Sequence, residues 1–232
     1  MKVIHADSAL LVLDKPAGLL SVPGRGEDKQ DCLSARVQAI YADALIVHRL
    51  DMATSGLMLM ARGASAQRNL SQAFASRDVV KRYCAIVSGR MPPLPENVWG
   101  VIDLPIILDW PNRPRRMIDA QAGKPSVTRW QVAGLGAGVD VPGAAQPYAA
   151  GAVETYDRST PFTRVTLEPV TGRSHQLRVH LAAIGHPILG DNLYAPPEGQ
   201  VRASRLLLHA CSLGLVHPVS GRPMQFTSPV PF

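Results

Sequence analysis

The apolar residues of this chain fall mostly in runs of strand length, and only three stretches carry a helical period. Residues 3–6 and 10–13 predict two short strands joined by a turn at Asp7 and Ser8. Residues 45–47 and 56–61 are apolar runs suited to buried strands, connected by the polar segment HRLDMATS. Residues 79–87 are apolar on both faces, as an interior strand requires, and 126–132 and 162–167 add two more strands. For the helices, Asp31 offers an N-cap ahead of Leu33, Val37 and Ile40, which share one face. Ala66, Leu70 and Phe74 define a second helix over 64–76, and a third over 174–184 is closed by Gly185. Strands and helices do not alternate as βαβ units, so the pattern predicts an α+β fold with a large mixed sheet. Residues 133–152 are dominated by Gly, Ala and Pro and read as a flexible insertion in one domain spanning 1–232.

Composition narrows the function classes. The chain has 232 residues, 46% hydrophobic and 18% charged, a globular balance that excludes wholesale disorder. Twenty-four Lys and Arg against 18 Asp and Glu leave a charge of +6, which suits a polyanionic partner, with a membrane surface as the competing reading. Cys32, Cys84 and Cys211 are far apart without CxxC spacing, which argues against a disulfide framework or zinc knuckle and for a reducing cytoplasm. His5, Asp7 and Asp14 interrupt the N-terminal apolar stretch, so no secretory signal is expected, and no apolar run approaches the roughly 18 residues of a membrane span. His175, His180 and His186 lack the four-residue spacing that pairs two ligands on a helix, so no metal site is expected.

The chemistry concentrates in HRLDMATS. A carboxylate in a loop between strands is ordinarily a turn residue or a cap. Here His48, Arg49, Thr54 and Ser55 surround Asp51 with donors, and apolar strands on both sides hold the loop, which is the support a nucleophile or base needs. A glycosidase would need a second, paired carboxylate, and the motif supplies none. A second polar segment, DWPNRPRRM, reads as a Pro-broken loop carrying Arg113, Arg115 and Arg116, suited to phosphate contacts. Aromatic residues make up only 5% of the chain, too few for a broad stacking platform.

The string HRLDMATSG resembles the catalytic motif of the RluA family of pseudouridine synthases, in which HRLD is followed by two variable residues and TSG. DKPAGLLSVPGR at 14–25, KRYCAIVSG at 81–89, DLPIILDWPNRPRR at 103–116, TGRSHQLRVHLAAIGHPILGD at 171–191 and RLLLHA at 205–210 also match, in the family's order. The resemblance is closest to the RluA branch. It implies the pseudouridine synthase fold, with a mainly antiparallel sheet around a central catalytic cleft. It also implies isomerisation of uridines in structured RNA, large-subunit rRNA and the tRNA anticodon stem-loop, rather than DNA.

By the same resemblance an N-terminal S4 domain is not expected, and because the implied product is an isomer of the substrate no cofactor is needed. The cysteine usage places the protein in the cytoplasm, and a monomer is the default expectation. Asp51 is implied as the essential carboxylate, either attacking the sugar or removing a sugar proton. Tyr83 is implied to lie against the target base, although a strand tyrosine packed in the core is the ordinary reading. Arg178 is implied to pair with Asp51, where a lone arginine on a helix flank is ordinarily solvated. Arg49 is implied to occupy the space of the flipped base, or else to contact a phosphate. His48 and Thr54 complete the motif, and Leu207 either lines the uracil pocket or packs in the core.

Overall fold

The computed structural model describes residues 2–136 and 156–232. In chain order the elements are β1 (Lys2–Ala6), β2 (Leu10–Lys15), α1 (Leu33–Gln38), β3 (Ala44–Ile46), β4 (Ser55–Arg62), α2 (Ala64–Ala75), β5 (Val80–Ser88), β6 (Gly100–Asp103), β7 (Ile106–Leu108), β8 (Arg116–Ile118), β9 (Val127–Gly136), β10 (Phe162–Pro169), α3 (Gln176–Ala183), α4 (Pro197–Gln200), β11 (Leu208–Val216) and β12 (Pro223–Thr227). Strands dominate, helices are few, and a parallel pairing of β4 with β11 sits among antiparallel ones, so the α+β expectation with mixed strand pairing holds. The described residues group into two compact units, one of the chain up to Lys81 with His209–Ser228, the other of Arg82–Leu208 with Pro229–Phe232.

The first unit is organised on β4. One edge of β4 pairs antiparallel with β2, which in turn pairs with β1. The other edge is shared: β3 pairs with its far end, Ile46 opposite Met60, while β11 runs parallel to its start, His209 opposite Ser55 and Ala210 opposite Gly56. Leu57, Leu59 and Ala61 pack with Leu10, Val12, Leu213 and the α2 residues Ala66 and Leu70. Met58 and Met60 on the opposite face are equally inaccessible. Burial on both faces explains why β4 reads as a continuous apolar run, and each such side chain contributes on the order of 1.5–3 kcal/mol. Gly56 is required where β4 meets β11: its φ is +106°, and a Cβ there would lie 2.3 Å from the carbonyl oxygen of Ala210.

In the second unit β5, β10, β9 and β6 pair antiparallel in that order, and β7 and β8 form a separate hairpin. Cys84, Ala85, Ile86 and Val87 of β5 are fully buried. Helix α3 differs from the amphipathic helix expected. Gln176, Arg178 and His180 are buried along with Leu177, Val179 and Leu181, so the helix is interior up to Leu181 and its polar groups need partners. Gln176 donates to the carbonyl of Val127 and accepts from the Thr171 hydroxyl, and His180 reaches Thr128 Oγ1 and the Leu104 carbonyl, both at 2.9 Å.

Several boundaries depart from the sequence expectation for identifiable reasons. Asp31 does not cap α1; Cys32 does, its sulfur accepting from the Ala35 amide, while Asp31 pairs with Arg36 on the surface. Ile40 lies beyond the end of α1 and is 66% exposed, because its amide closes a turn onto Val37 rather than extending the helix. Residues 133–136 belong to β9 rather than to the insertion, since Gly136 and Leu135 pair with Phe162 and Thr163; 137–152 lie outside the described residues. Among the described residues no helix is long and apolar enough to cross a membrane.

Candidate active site

The loop carrying Asp51 leaves β3 and returns to β4, and its backbone is fastened at successive residues. Ser21 Oγ donates to the Leu50 carbonyl at 2.6 Å and accepts from the Leu50 amide at 3.1 Å. The Thr54 amide closes a turn onto the Asp51 carbonyl. The Met52 carbonyl receives the Gly18 amide at 2.9 Å and the Lys15 ammonium at 3.1 Å. Lys15 is itself wholly buried, and its ammonium also donates to the carbonyls of Pro16 and Leu19 at 2.9 and 2.8 Å. Three backbone carbonyls thus receive the ammonium. The segment 15–21 is the bracket on which the Asp51 loop is mounted.

His48 anchors the same loop to β4. On the β4 edge between the stretches paired with β3 and with β11, the Leu59 amide donates to His48 Nε2 at 2.9 Å. The imidazole stacks on Phe74 with centroids 4.4 Å apart, and Lys81 lies over the other side chain of that pair, 5.9 Å from the Phe74 centroid. Burial, with the Lys81 charge adding to it, pushes the His48 pKa down to about 3. The ring is therefore neutral with its proton on Nδ1.

At the start of β4, the buried Ser55, His209 and Ser228 and the half-buried Asp14 form a hydrogen-bonded chain. Ser228 donates to Asp14 Oδ2 at 2.9 Å and so accepts from His209 Nε2 at 3.1 Å, which leaves His209 Nδ1 to accept from Ser55 Oγ at 2.8 Å. Thr54 is buried at the head of β4, whereas Arg49 is exposed and Asp51 intermediate.

In the second unit Arg178 is 3% exposed and meets Asp191 through Nε at 2.8 Å and Nη2 at 2.6 Å. It is not the solvated flank residue that its helical position suggested. Asp191 Oδ1 also accepts from the amides of Leu193 and Tyr194, and the Tyr194 ring lies 5.1 Å from the Arg178 guanidinium carbon.

A family model described as RNA pseudouridylate synthase matches residues 9–183, which contain the Asp51 loop, Tyr83 and Arg178. The chain belongs to this family. Over 230 residues the synthase is 44% identical to the Dual-specificity RNA pseudouridine synthase RluA of Escherichia coli strain K12, covering 99% of this chain and 93% of that protein. It is 40% identical to the protein of the same name from Pasteurella multocida, covering 100% of this chain and 94% of that one. Human RNA Pseudouridylate Synthase Domain Containing 1 superposes with a TM-score of 0.73 at 26% identity, covering 99% of this chain and 83% of that one. Human RNA Pseudouridylate Synthase Domain Containing 4, with a TM-score of 0.70 and 24% identity, shares the fold.

The other residues singled out from sequence lie in the synthase's second unit. Tyr83 is half-buried on β5, opposite Leu167 of β10. Leu207 is 1% exposed, its carbonyl accepting from the Ile86 amide and its amide donating to Leu189, so its surroundings are those of a core residue. DWPNRPRRM is the turn of the β7–β8 hairpin rather than a plain loop, and Arg116 opens β8. Arg113 and Arg115 are exposed, with the Arg113 guanidinium 4.3 Å from the centroid of the exposed Trp110 ring. Sequence reading passed over Lys15, Gly18, Ser21, His209 and Tyr194. The adjacency of the first three within DKPAGLLS was the one available signal.

Proposed function

We propose that the synthase is a dual-specificity enzyme that isomerises uridines in large-subunit rRNA and in the tRNA anticodon stem-loop, acting in the cytoplasm as a monomer. One observation carries the catalytic assignment: the Asp51 backbone is fastened on both sides by Ser21, Gly18, Lys15 and Thr54, a mount that holds a reacting carboxylate without loop reorganisation. Two relatives that cover nearly the whole chain bear the dual-specificity name, which supports the substrate pair.

In this reading Arg113 and Arg115 contact phosphates from the exposed hairpin, as does Arg116 at its base, and the exposed Arg49 takes the place of the extracted base. His48 and Thr54 hold the loop. Asp51 acts on the ribose of the flipped uridine, either attacking the sugar or removing a proton from it, as the glycosidic bond to N1 breaks. The base turns and rejoins through C5, which then gives up its proton while N1 takes one up; Tyr83 lies against the base as the candidate to handle the C5 proton, and Leu207 lies behind the uracil. Arg178 pairs with Asp51 and orients it; a guanidinium has five donors, enough for Asp191 and a second carboxylate. Reactant and product are isomers, so the reaction consumes no cofactor.

The test is to incubate the purified protein separately with large-subunit rRNA and tRNA transcripts and map pseudouridine in each. Modification of both supports dual specificity; modification of one alone reduces the proposal to a single-substrate synthase.

A further inference from the structure

We propose that Tyr194 is a positioning residue that couples the basic β7–β8 hairpin to Arg178, so that RNA held by the hairpin and the orientation of the buried arginine depend on one side chain. This rests on the reading that the hairpin arginines contact RNA. The Tyr194 hydroxyl accepts from the backbone amide of Arg116 at 2.8 Å, at the first residue of β8. The same oxygen lies 2.7 Å from His175 Nδ1. His175 is the residue before α3 and sits in the left-handed region at φ 57°, a conformation that persists in a non-glycine residue where its surroundings over-determine it. The Tyr194 and His175 rings meet edge to face, with centroids 5.7 Å apart.

The other side of Tyr194 serves Arg178. Its ring is close enough to the guanidinium for cation–π attraction, and its backbone amide is held by the Asp191 oxygen that also takes Arg178 Nη2. The hydroxyl therefore addresses the hairpin and the ring addresses the arginine. These two tasks separate by mutation. Tyr194→Phe keeps the ring and leaves the Arg116 amide without its acceptor. Tyr194→Leu removes both.

The experiment measures kcat and KM on a tRNA anticodon stem-loop for wild type, Tyr194→Phe, Tyr194→Leu, Arg113→Ala/Arg115→Ala and the combination of the last with Tyr194→Phe. Tyr194→Phe should raise KM about tenfold while kcat stays within about threefold, since a lost hydrogen bond with an orphaned amide has roughly that weight. Tyr194→Leu should show the same KM rise and a further drop in kcat of at least about tenfold, which phenylalanine rescues. In the arginine-free hairpin, Tyr194→Phe should raise KM no further. If the arginine pair matters and Tyr194→Phe leaves KM unchanged, or lowers kcat alone, the coupling is refuted while the hairpin reading stands. If removing the arginines leaves KM unchanged, both fall. Should Tyr194→Phe prove unfolded, His175→Gln carries the same test, with a smaller KM rise expected and an unchanged KM overturning the coupling.

Discussion

Arg178 and Asp191 form a two-bond ion pair in the interior of the second unit, with N–O distances of 2.6 and 2.8 Å and side chains 3% and 0% exposed. Such a pair adds little against an apolar replacement of both partners, but breaking it takes the two-bond carboxylate from a buried guanidinium. Asp191→Asn should therefore cost about 3–5 kcal/mol of folding stability. It puts an amide NH2 against a guanidinium donor. Urea unfolding of the variant checks this, and a loss below about 1 kcal/mol would show that Asp191 does not carry the Arg178 charge.

Lys15 is the corresponding element in the first unit. Its ammonium satisfies the carbonyls of Pro16, Leu19 and Met52 in a site closed to solvent. Lys15→Met fits the space, takes the ammonium from the Pro16 and Leu19 carbonyls and leaves Met52 with the Gly18 amide alone, so a loss of at least about 2 kcal/mol is expected, together with exposure of the 50–54 backbone to exchange. Hydrogen exchange of those amides distinguishes local loosening from global unfolding.

Gly56→Ala should be among the most damaging single changes in β4. The new methyl would meet the Ala210 backbone at 2.3–2.8 Å on a residue whose φ is +106°, and backbone cannot swing aside as a long side chain does. A poorly soluble or unfolded product is expected, judged by circular dichroism and thermal melting. A melting temperature within a few degrees of wild type would mean that β4 and β11 tolerate separation at their parallel contact.

The His48 imidazole makes folding stability fall on mild acidification. Its pKa drops from 6.5 to about 3 in the folded protein. Above pH 6.5 it is neutral in both states and contributes no pH dependence. Between pH 6.5 and 3 the unfolded chain takes up a proton that the folded protein refuses, so stability declines through that window. The unfolding free energy lost between pH 7.5 and 4.5 should shrink in His48→Gln by up to about 3 kcal/mol relative to wild type. Equal losses in the two proteins would mean that His48 titrates normally.

What the sequence made legible follows from how each feature is encoded. Strands buried on both faces, such as β4 and the 84–87 part of β5, announce themselves as unbroken apolar runs. The β7–β8 hairpin does not, because three-residue strands are too short to show a period. The start of the insertion was misplaced since Gly134 and Gly136 carry loop composition inside a paired strand. Asp51 stood out as a motif, yet its bracket works through backbone carbonyls at Leu50 and Met52, to which side-chain patterns are blind. Arg178 looked solvated because helical periodicity ranks a charged residue as surface. Its partner lies 13 residues away, beyond the end of α3.

The most direct test of the central claim compares wild type with Asp51→Asn on native total rRNA and tRNA, with pseudouridine mapped at nucleotide resolution and RNA binding and melting measured in parallel. The carboxylate chemistry predicts pseudouridine from wild type and none from the variant, at least about a thousandfold lower in rate, with folding and RNA binding largely retained. Pseudouridine formed by Asp51→Asn at a rate near that of wild type would contradict it, as would a wild-type protein that binds these RNAs and modifies none of them.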